Sequence, residues 1–197
     1  PDPSSKQFCT VGGNVACNAG GLRCLKYGVT RDYVRALKGF MPTGEKVRWG
    51  RATRKFATGY NLRDLWIGSE GTLGVVTEVT LGLVLKPACT RTFLAAFPDE
   101  ATALEAPFAL PRLGLQPSIL EFLDQWTVSC VEAFTGKTVL EGVSGLPVLL
   151  VELDGHPAQV EESAEKLLDW LKERAVAHRT AATEEEAEEL WEVRRTG

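Results

Sequence analysis

The chain has 197 residues, 44% of them hydrophobic and 24% charged, and a net charge of −4. These proportions describe a soluble folded protein large enough to bury a core, and they exclude a disordered chain, a collagen-like repeat and a strongly basic nucleic-acid binder. No apolar run approaches the roughly 20 residues that a membrane-spanning helix needs. The chain opens on Pro1 with nothing resembling a signal peptide after it, so its start reads as the middle of a longer protein.

Charge and glycine are unevenly spread. Residues 1–87 hold 13 Lys/Arg against 6 Asp/Glu, residues 88–156 hold 3 against 9, and residues 157–197 hold 6 against 11. Of the 19 glycines, 13 lie in the first of these segments. Only that first part is suited to meet an anion. The five cysteines, Cys9, Cys17, Cys24, Cys89 and Cys130, are odd in number and show no C-x-x-C spacing. They read as free, mostly buried thiols of a reducing compartment, the cytosol or an organelle matrix, with or without peripheral attachment to a membrane.

Taken in order, residues 1–30 are rich in Gly, Ser, Asn and small residues, with no helix-length apolar stripe. A strand is expected over 34–41. Pro42-Thr43-Gly44-Glu45 supplies a turn, and Lys46 to Trp49 alternates like a return strand. Asn61 is a good cap for a short helix ending at Trp66. Leu73 to Leu85 reads as a long strand with Val75, Thr77, Val79 and Leu81 on one face, ended by Lys86-Pro87. A domain boundary is placed near residue 88, giving parts 1–87 and 88–197.

Beyond it, strands are expected over 92–97, 117–123 and 147–153. A helix over 99–110 is interrupted or shortened by Pro107. Another runs from Asp124 to about Phe134. The clearest helix carries Val160, Ala164, Leu167, Leu168, Leu171 and Ala175 at helical spacing. Thr183 caps a last helix through Arg195, with three Glu in its first turn where the helix dipole favours them. The alternation of strand and helix predicts an α+β domain with helices packed on a sheet.

Several chemistries lack their residues. There is no G-x-G-x-x-G, and Glu45 stands where a P-loop following Gly39 and Gly44 would need Lys. With only His156 and His178, no H-E-x-x-H and no convincing Ser/His/Asp set can be built, and both histidines read as ordinary surface residues. Two glycine clusters remain: Thr10-Val11-Gly12-Gly13-Asn14-Val15-Ala16-Cys17-Asn18-Ala19-Gly20-Gly21, and Gly59-Tyr60-Asn61-Leu62 running on to Gly68-Ser69-Glu70-Gly71-Thr72-Leu73-Gly74-Val75-Val76. Without Cβ atoms such backbone comes within hydrogen-bonding reach of a ligand, and successive N–H groups can ring a pyrophosphate. Tight turns in a compact domain would explain the same spacing equally well.

Pro1-Asp2-Pro3-Ser4-Ser5 and the two long segments TVGGNVACNAGGLRCLKYGVTRDYV and TGYNLRDLWIGSEGTLGVVTEVTLGLVLKP resemble the FAD-linked oxidase family, in particular its glycolate oxidase and D-lactate dehydrogenase branch. Leu120-Glu121-Phe122-Leu123-Asp124, Val151-Glu152-Leu153-Asp154-Gly155 and Leu190-Trp191-Glu192-Val193-Arg194 resemble that family's substrate-side domain. The resemblance implies part of a PCMH-type FAD-binding domain over 1–87, followed by part of an α+β FAD-linked oxidase C-terminal domain over 88–197.

It implies FAD as cofactor, held by Ser4, Ser5, Thr10, Gly12, Gly13, Asn14, Asn18, Ala19, Gly20 and Gly21 near the pyrophosphate. Glu70, Gly71, Thr72, Leu73, Gly74, Val75 and Val76 would wrap the flavin. Arg194 would hold the substrate carboxylate, for which a guanidinium's planar fork is suited; a solvated charge late in a helix is the competing reading. The implied reaction is oxidation of a small D-2-hydroxy acid, glycolate or D-lactate, to the 2-oxo acid. Electrons would pass to a quinone, a cytochrome or an iron-sulfur subunit, with no nucleic acid and no membrane span involved.

The family's other Gly-rich loop and its His-rich motif, which carries the metal and the general base, have no counterpart in these residues, so no catalytic and no metal residue is assigned. A fragment that does not turn over alone is expected. Two alternatives stand beside it: a non-catalytic module of a split gene that assembles with a partner polypeptide, and a related alditol or peptidoglycan-precursor oxidoreductase, against which the L-E-F-L-D and V-E-L-D-G segments argue.

Overall fold

The computed structural model describes residues 2–55, 57–181 and 183–196, the side chains of Glu184 and of residues 192–196 excepted. The chain divides into two units, Pro1–Leu85 and Lys86–Gly197.

The first unit is built on a three-stranded antiparallel sheet, β1 (Val34–Phe40), β2 (Lys46–Gly50) and β3 (Val75–Leu81), in the order β2-β1-β3. The expected 34–41 and 46–49 hairpin is present. The third strand is shorter than the stretch 73–85, and its alternation breaks. Lys38 pairs with Glu78 but Gly39 with Val76, so Thr77 is an extra, bulged residue. The bulge puts Val76 and Val79, not Val75 and Val79, against the core.

Short helices precede the sheet in a region with no helical apolar stripe: α1 (Val11–Cys17), α2 (Cys24–Tyr27) and α3 (Thr30–Tyr33). α1 contains two adjacent glycines, each a helix penalty of about 1 kcal/mol. It is held instead by its ends and by Val15, which is fully buried with Val34, Leu37, Trp66 and Ile67. The expected helix after Asn61 is α4 (Leu62–Trp66); the Asn61 side chain accepts from the Asp64 amide. Its last residue, Trp66, lies on β1 and the start of β3. A Cβ on Gly39 would stand 3.0 Å from that indole, and one on Gly74 2.6 Å from it.

The second unit is a four-stranded antiparallel sheet ordered β5-β6-β4-β7, from β4 (Cys89–Ala96), β5 (Ile119–Leu123), β6 (Val148–Gly155) and β7 (Ala177–Thr180). The expected strand–helix alternation and helix-on-sheet packing are found. The short β7 is an addition to the expected strands, and it carries no apolar pattern that would reveal it. Phe93, Ala95, Leu149, Val151 and Leu153 line one face and pack with α8 (Pro157–Arg174) through Val160, Ala164, Leu167, Trp170 and Leu171. Each large apolar side chain buried there stabilises by about 1.5–3 kcal/mol.

The expected helix over 99–110 is two helices, α5 (Glu100–Ala103) and α6 (Ala106–Arg112). The break falls at Leu104 and Glu105, and Pro107 sits in the first turn of α6, where its missing N–H is harmless. Asp124 caps α7 (Gln125–Thr135), and left-handed Gly136 ends it. Thr183 caps α9 (Glu184–Thr196), its hydroxyl accepting from the Glu186 amide at 3.1 Å.

The cysteines are free, as expected, but none is buried. Cys17 and Cys130 are exposed, and Cys9, Cys24 and Cys89 are half-buried. Val15 in α1, and Val128 and Val131 in α7, take the inward positions beside them.

Candidate functional site

The two glycine clusters meet at the end of α1. Its first turn is capped by Thr10, whose hydroxyl accepts from the Gly13 amide at 3.0 Å. Its last turn would leave carbonyl oxygens without partners. The second cluster supplies them: the Gly68 amide donates to the Val15 carbonyl and the Glu70 amide to the Ala16 carbonyl, each at 3.0 Å. Asn18 ends the helix in the left-handed conformation, φ 48°, and its Oδ1 accepts from the Arg31 amide at 2.9 Å. The Ala19 carbonyl accepts from both the amide and the hydroxyl of the buried Thr30.

The N-terminal strap is tied to the other end of the first cluster. Arg23 pairs with Asp2 at 2.6 Å. Gly21 lies against the strap so closely that a Cβ would stand 2.2 Å from the Asp2 carbonyl oxygen. Ser4 and Ser5 are thereby held exposed on the same unit as Thr10, Gly12 and Gly13, also exposed, while Asn14, Ala19 and Gly20 are half-buried. In the second cluster Glu70, Gly71, Thr72, Leu73 and Val75 are exposed, and Glu70 and Gly71 both have positive φ. Val76 differs: it packs against the core. Gly74 makes room for Trp66 and for the Phe40 carbonyl, 2.3 Å from where its Cβ would stand.

Arg31 joins the two clusters. Besides its amide bond to Asn18, its guanidinium donates to the Ile67 carbonyl at 3.0 Å, and its Nε is buried without an acceptor among the described residues. In the same unit a cavity of about 320 Å3 is lined by Val11, Asn14, Thr30, Tyr33, Gly82 and Val84, among others. Burial, then the neighbouring Asp32, raises the Tyr33 phenol above its usual range, so it stays neutral; it donates to the Tyr27 carbonyl at 2.7 Å. Sequence reasoning assigns no role to Arg31, Tyr33 or residues 82–84. The only signal for them is their place in the quoted segments, G-V-T-R-D-Y and L-G-L-V-L.

In the second unit, the L-E-F-L-D and V-E-L-D-G segments are β5 with its helix cap and the end of β6, side by side in the sheet. Glu152 is almost fully buried and accepts from the Ser118 hydroxyl at 2.8 Å. The third segment lies on α9, whose Leu190 and Trp191 are buried. The side chain of Arg194 lies outside the described residues.

The model of the C-terminal domain of FAD-linked oxidases matches residues 86–197, and that of an FAD-binding domain matches residues 1–50. The chain is 44% identical over its whole length to the glycolate oxidase subunit GlcD of Bacillus subtilis, and 42% identical over 88% of its length to the D-lactate dehydrogenase of Anaerostipes hadrus. It spans 42% and 36% of those proteins. Among solved structures, alkyldihydroxyacetonephosphate synthase matches 99% of the chain at 20% identity with a TM-score of 0.72, over 37% of its own length, which shows the shared fold.

FAD is the cofactor of such domains, and the residues here fit it. The exposed Gly12 and Gly71 have no atom within 4 Å of where a Cβ would stand, which leaves their backbone open to a ligand. The Arg31 Nε, without an acceptor among the described residues, marks a cationic junction between the two clusters. The match of the C-terminal model across more than half of the sequence establishes that the chain belongs to the FAD-linked oxidase family.

Proposed function

We propose that the protein to which these residues belong oxidises a small D-2-hydroxy acid, glycolate or D-lactate, to the 2-oxo acid, and passes the electrons to a quinone, a cytochrome or an iron-sulfur subunit. The observation that carries this is the joining of the two glycine clusters, Gly68 and Glu70 amides onto Val15 and Ala16 carbonyls, in a chain 44% identical to a glycolate oxidase subunit. Bound flavin supplies a two-electron acceptor for the hydride leaving C2 of the acid.

The chain's own residues bind and orient. Backbone at Gly12 and Gly13, with Thr10, Asn14 and Asn18, lies along the pyrophosphate, together with Ser4, Ser5, Ala19, Gly20 and Gly21. Arg31 adds positive charge at the junction. Glu70, Gly71, Thr72, Leu73, Gly74, Val75 and Val76 shape the flavin side, Gly74 and Val76 from beneath by setting the course of the chain. Arg194 meets the substrate carboxylate with two parallel N–H donors. The extent of the parts, flavin-binding to about 87 and substrate-side beyond, belongs to the same reading. So does the absence of turnover by this chain alone, since its residues include no counterpart of the His-rich motif.

The test is a visible spectrum of the purified chain after incubation with FAD and gel filtration. Retained flavin absorbance supports the site, and adding glycolate or D-lactate without oxygen should then leave the flavin oxidised. A folded but colourless protein refutes a self-sufficient flavin site. It would favour instead a module that assembles with another polypeptide, a reading to which the almost fully exposed Leu83 and Leu85 also lend support.

A further inference from the structure

Helix α7 of the second unit presents an apolar, uncharged face to solvent. Trp126 is 78% exposed and Phe134 83% exposed, although the helix has a buried side of its own in Val128 and Val131. Cys130, also exposed, lies midway between the two aromatics. The three stand at i, i+4 and i+8 and form one ridge, its aromatic ends roughly 12 Å apart. Beside it runs a shallow row of Ser129 and Ala133, both exposed. The Ser129 hydroxyl donates to the Gln125 carbonyl at 2.8 Å, so this row offers space rather than a free donor. Glu132, the one charged residue of α7, is turned into the following loop. Its carboxylate accepts from the Val139 and Gly145 amides, each at 3.0 Å, and from the Ser144 hydroxyl at 2.6 Å.

Charge narrows what can cover this face. Residues 88–197 hold 9 Lys/Arg against 20 Asp/Glu. That field repels a nucleic acid or an anionic lipid surface, and it repels a second copy except at a face that carries no net charge. The two ends of α7 are oppositely charged. Asp124 is the N-cap, and Lys137 stands exposed just past the left-handed Gly136. A two-fold axis at Cys130 relates position 126 to 134, and very nearly 124 to 137. An antiparallel pair therefore sets aromatic against aromatic and Lys137 toward the opposite Asp124, with the helix dipoles opposed. A parallel pair would set like charges together. An aromatic side chain covers about 150–250 Å2. Four of them, with the small-residue rows between, reach about 1,000 Å2, the low end for a specific interface.

We propose that α7 is a self-association surface: two copies of this chain pair antiparallel along it, Trp126 of one against Phe134 of the other, with Cys130 at the axis. The small side chain at the axis lets the two helix backbones approach, as ridge-in-groove packing requires.

The test is sedimentation of the reduced chain over a range of concentrations. The unmutated chain should show a monomer–dimer equilibrium with a dissociation constant of roughly 10–100 μM. W126K and F134E should each weaken it at least about tenfold. An equimolar mixture of the two variants should recover the dimer. In the mixed pair the introduced charges face each other at one end, and the other end keeps its Trp–Phe contact. A chain that stays monomeric to about 1 mM overturns the proposal. So does a dimer that both variants leave intact, or a mixture that stays monomeric. A monomer that instead co-sediments with phosphatidylcholine vesicles, and ceases to in W126K, assigns the face to a lipid surface and defeats the proposal.

A second measurement needs no variant. A short bis-maleimide added to the unmutated chain should join Cys130 to Cys130, identified by the mass of the linked peptide. Linkage confined to Cys17, the other exposed thiol, would put the contact elsewhere and overturn the proposal. Neither measurement uses flavin, so the outcome is separate from that of the flavin site.

Discussion

The amide of Glu70 donates to the carbonyl oxygen of Ala16 at 3.0 Å, across 54 positions of sequence, and so closes the open end of a seven-residue helix with the loop of the second glycine cluster. Neither cluster is a finished structure alone. The helix is too short and too rich in glycine to persist in isolation, and the loop turns through two successive positive-φ residues, Glu70 and Gly71. Each supplies what the other lacks.

The glycines of these motifs separate into those the fold needs and those a ligand would need, and alanine tells them apart. A Cβ at position 39 would stand 2.3 Å from the Val75 carbonyl oxygen, so Gly39→Ala should unfold the first unit or force its strands apart. A Cβ at position 12 meets nothing within 4 Å. Gly12→Ala, in the first turn of α1, should therefore raise stability by at most roughly 0.5–1 kcal/mol while abolishing FAD retention. Denaturant unfolding and the flavin spectrum, run on both variants, check this; a Gly12→Ala protein that retains FAD fully would remove that residue from the site.

Asn18 combines a left-handed backbone with a side chain that caps Arg31. Asn18→Gly keeps the backbone and loses one hydrogen bond, about 1 kcal/mol. Asn18→Ala adds the left-handed penalty of roughly 1–2 kcal/mol for a residue with a Cβ. The order of unfolding midpoints should be wild type, then Gly, then Ala. Equal midpoints for the two variants would mean that the left-handed turn is not under load.

Much of this architecture is legible because each element carries its own local signal. Asn61 and Thr183 announce their helices as cap residues, and the stripe from Val160 to Leu171 announces α8 by its period. What stays hidden is set by contacts distant in sequence. α1 has no apolar stripe because a single residue, Val15, anchors it. β7 pairs only through β4, with no alternation of its own. The bulge at Thr77 re-aims Val76 inward by register alone, which no periodicity could reveal. In the candidate site the glycine clusters are visible as composition, whereas Arg31 is not, since its place depends on the Ile67 carbonyl 36 residues away.

Acid should act on the second unit through its helix caps. Asp99 accepts from the Thr102 amide at 2.7 Å and from its hydroxyl at 2.8 Å, and Asp124 accepts from the Thr127 amide at 2.7 Å. The bond from the backbone amide is the largest cause that holds each carboxyl below the usual carboxylate range, with the threonine side chain next. A carboxyl whose folded pKa is depressed contributes stability that is fully present above its unfolded value, about 3.9, and is lost as pH falls through the lower folded value. The thermal midpoint should therefore be flat from about pH 7 to 5 and decline below about pH 4. Asparagine caps a helix as well as aspartate but does not titrate. The Asp99→Asn, Asp124→Asn double variant should melt near the wild type at neutral pH and decline less steeply in acid. Scanning calorimetry of both proteins between about pH 2 and 7 measures the two slopes; parallel acid limbs would show that other carboxylates, such as Glu162 beside Lys166, carry the loss instead.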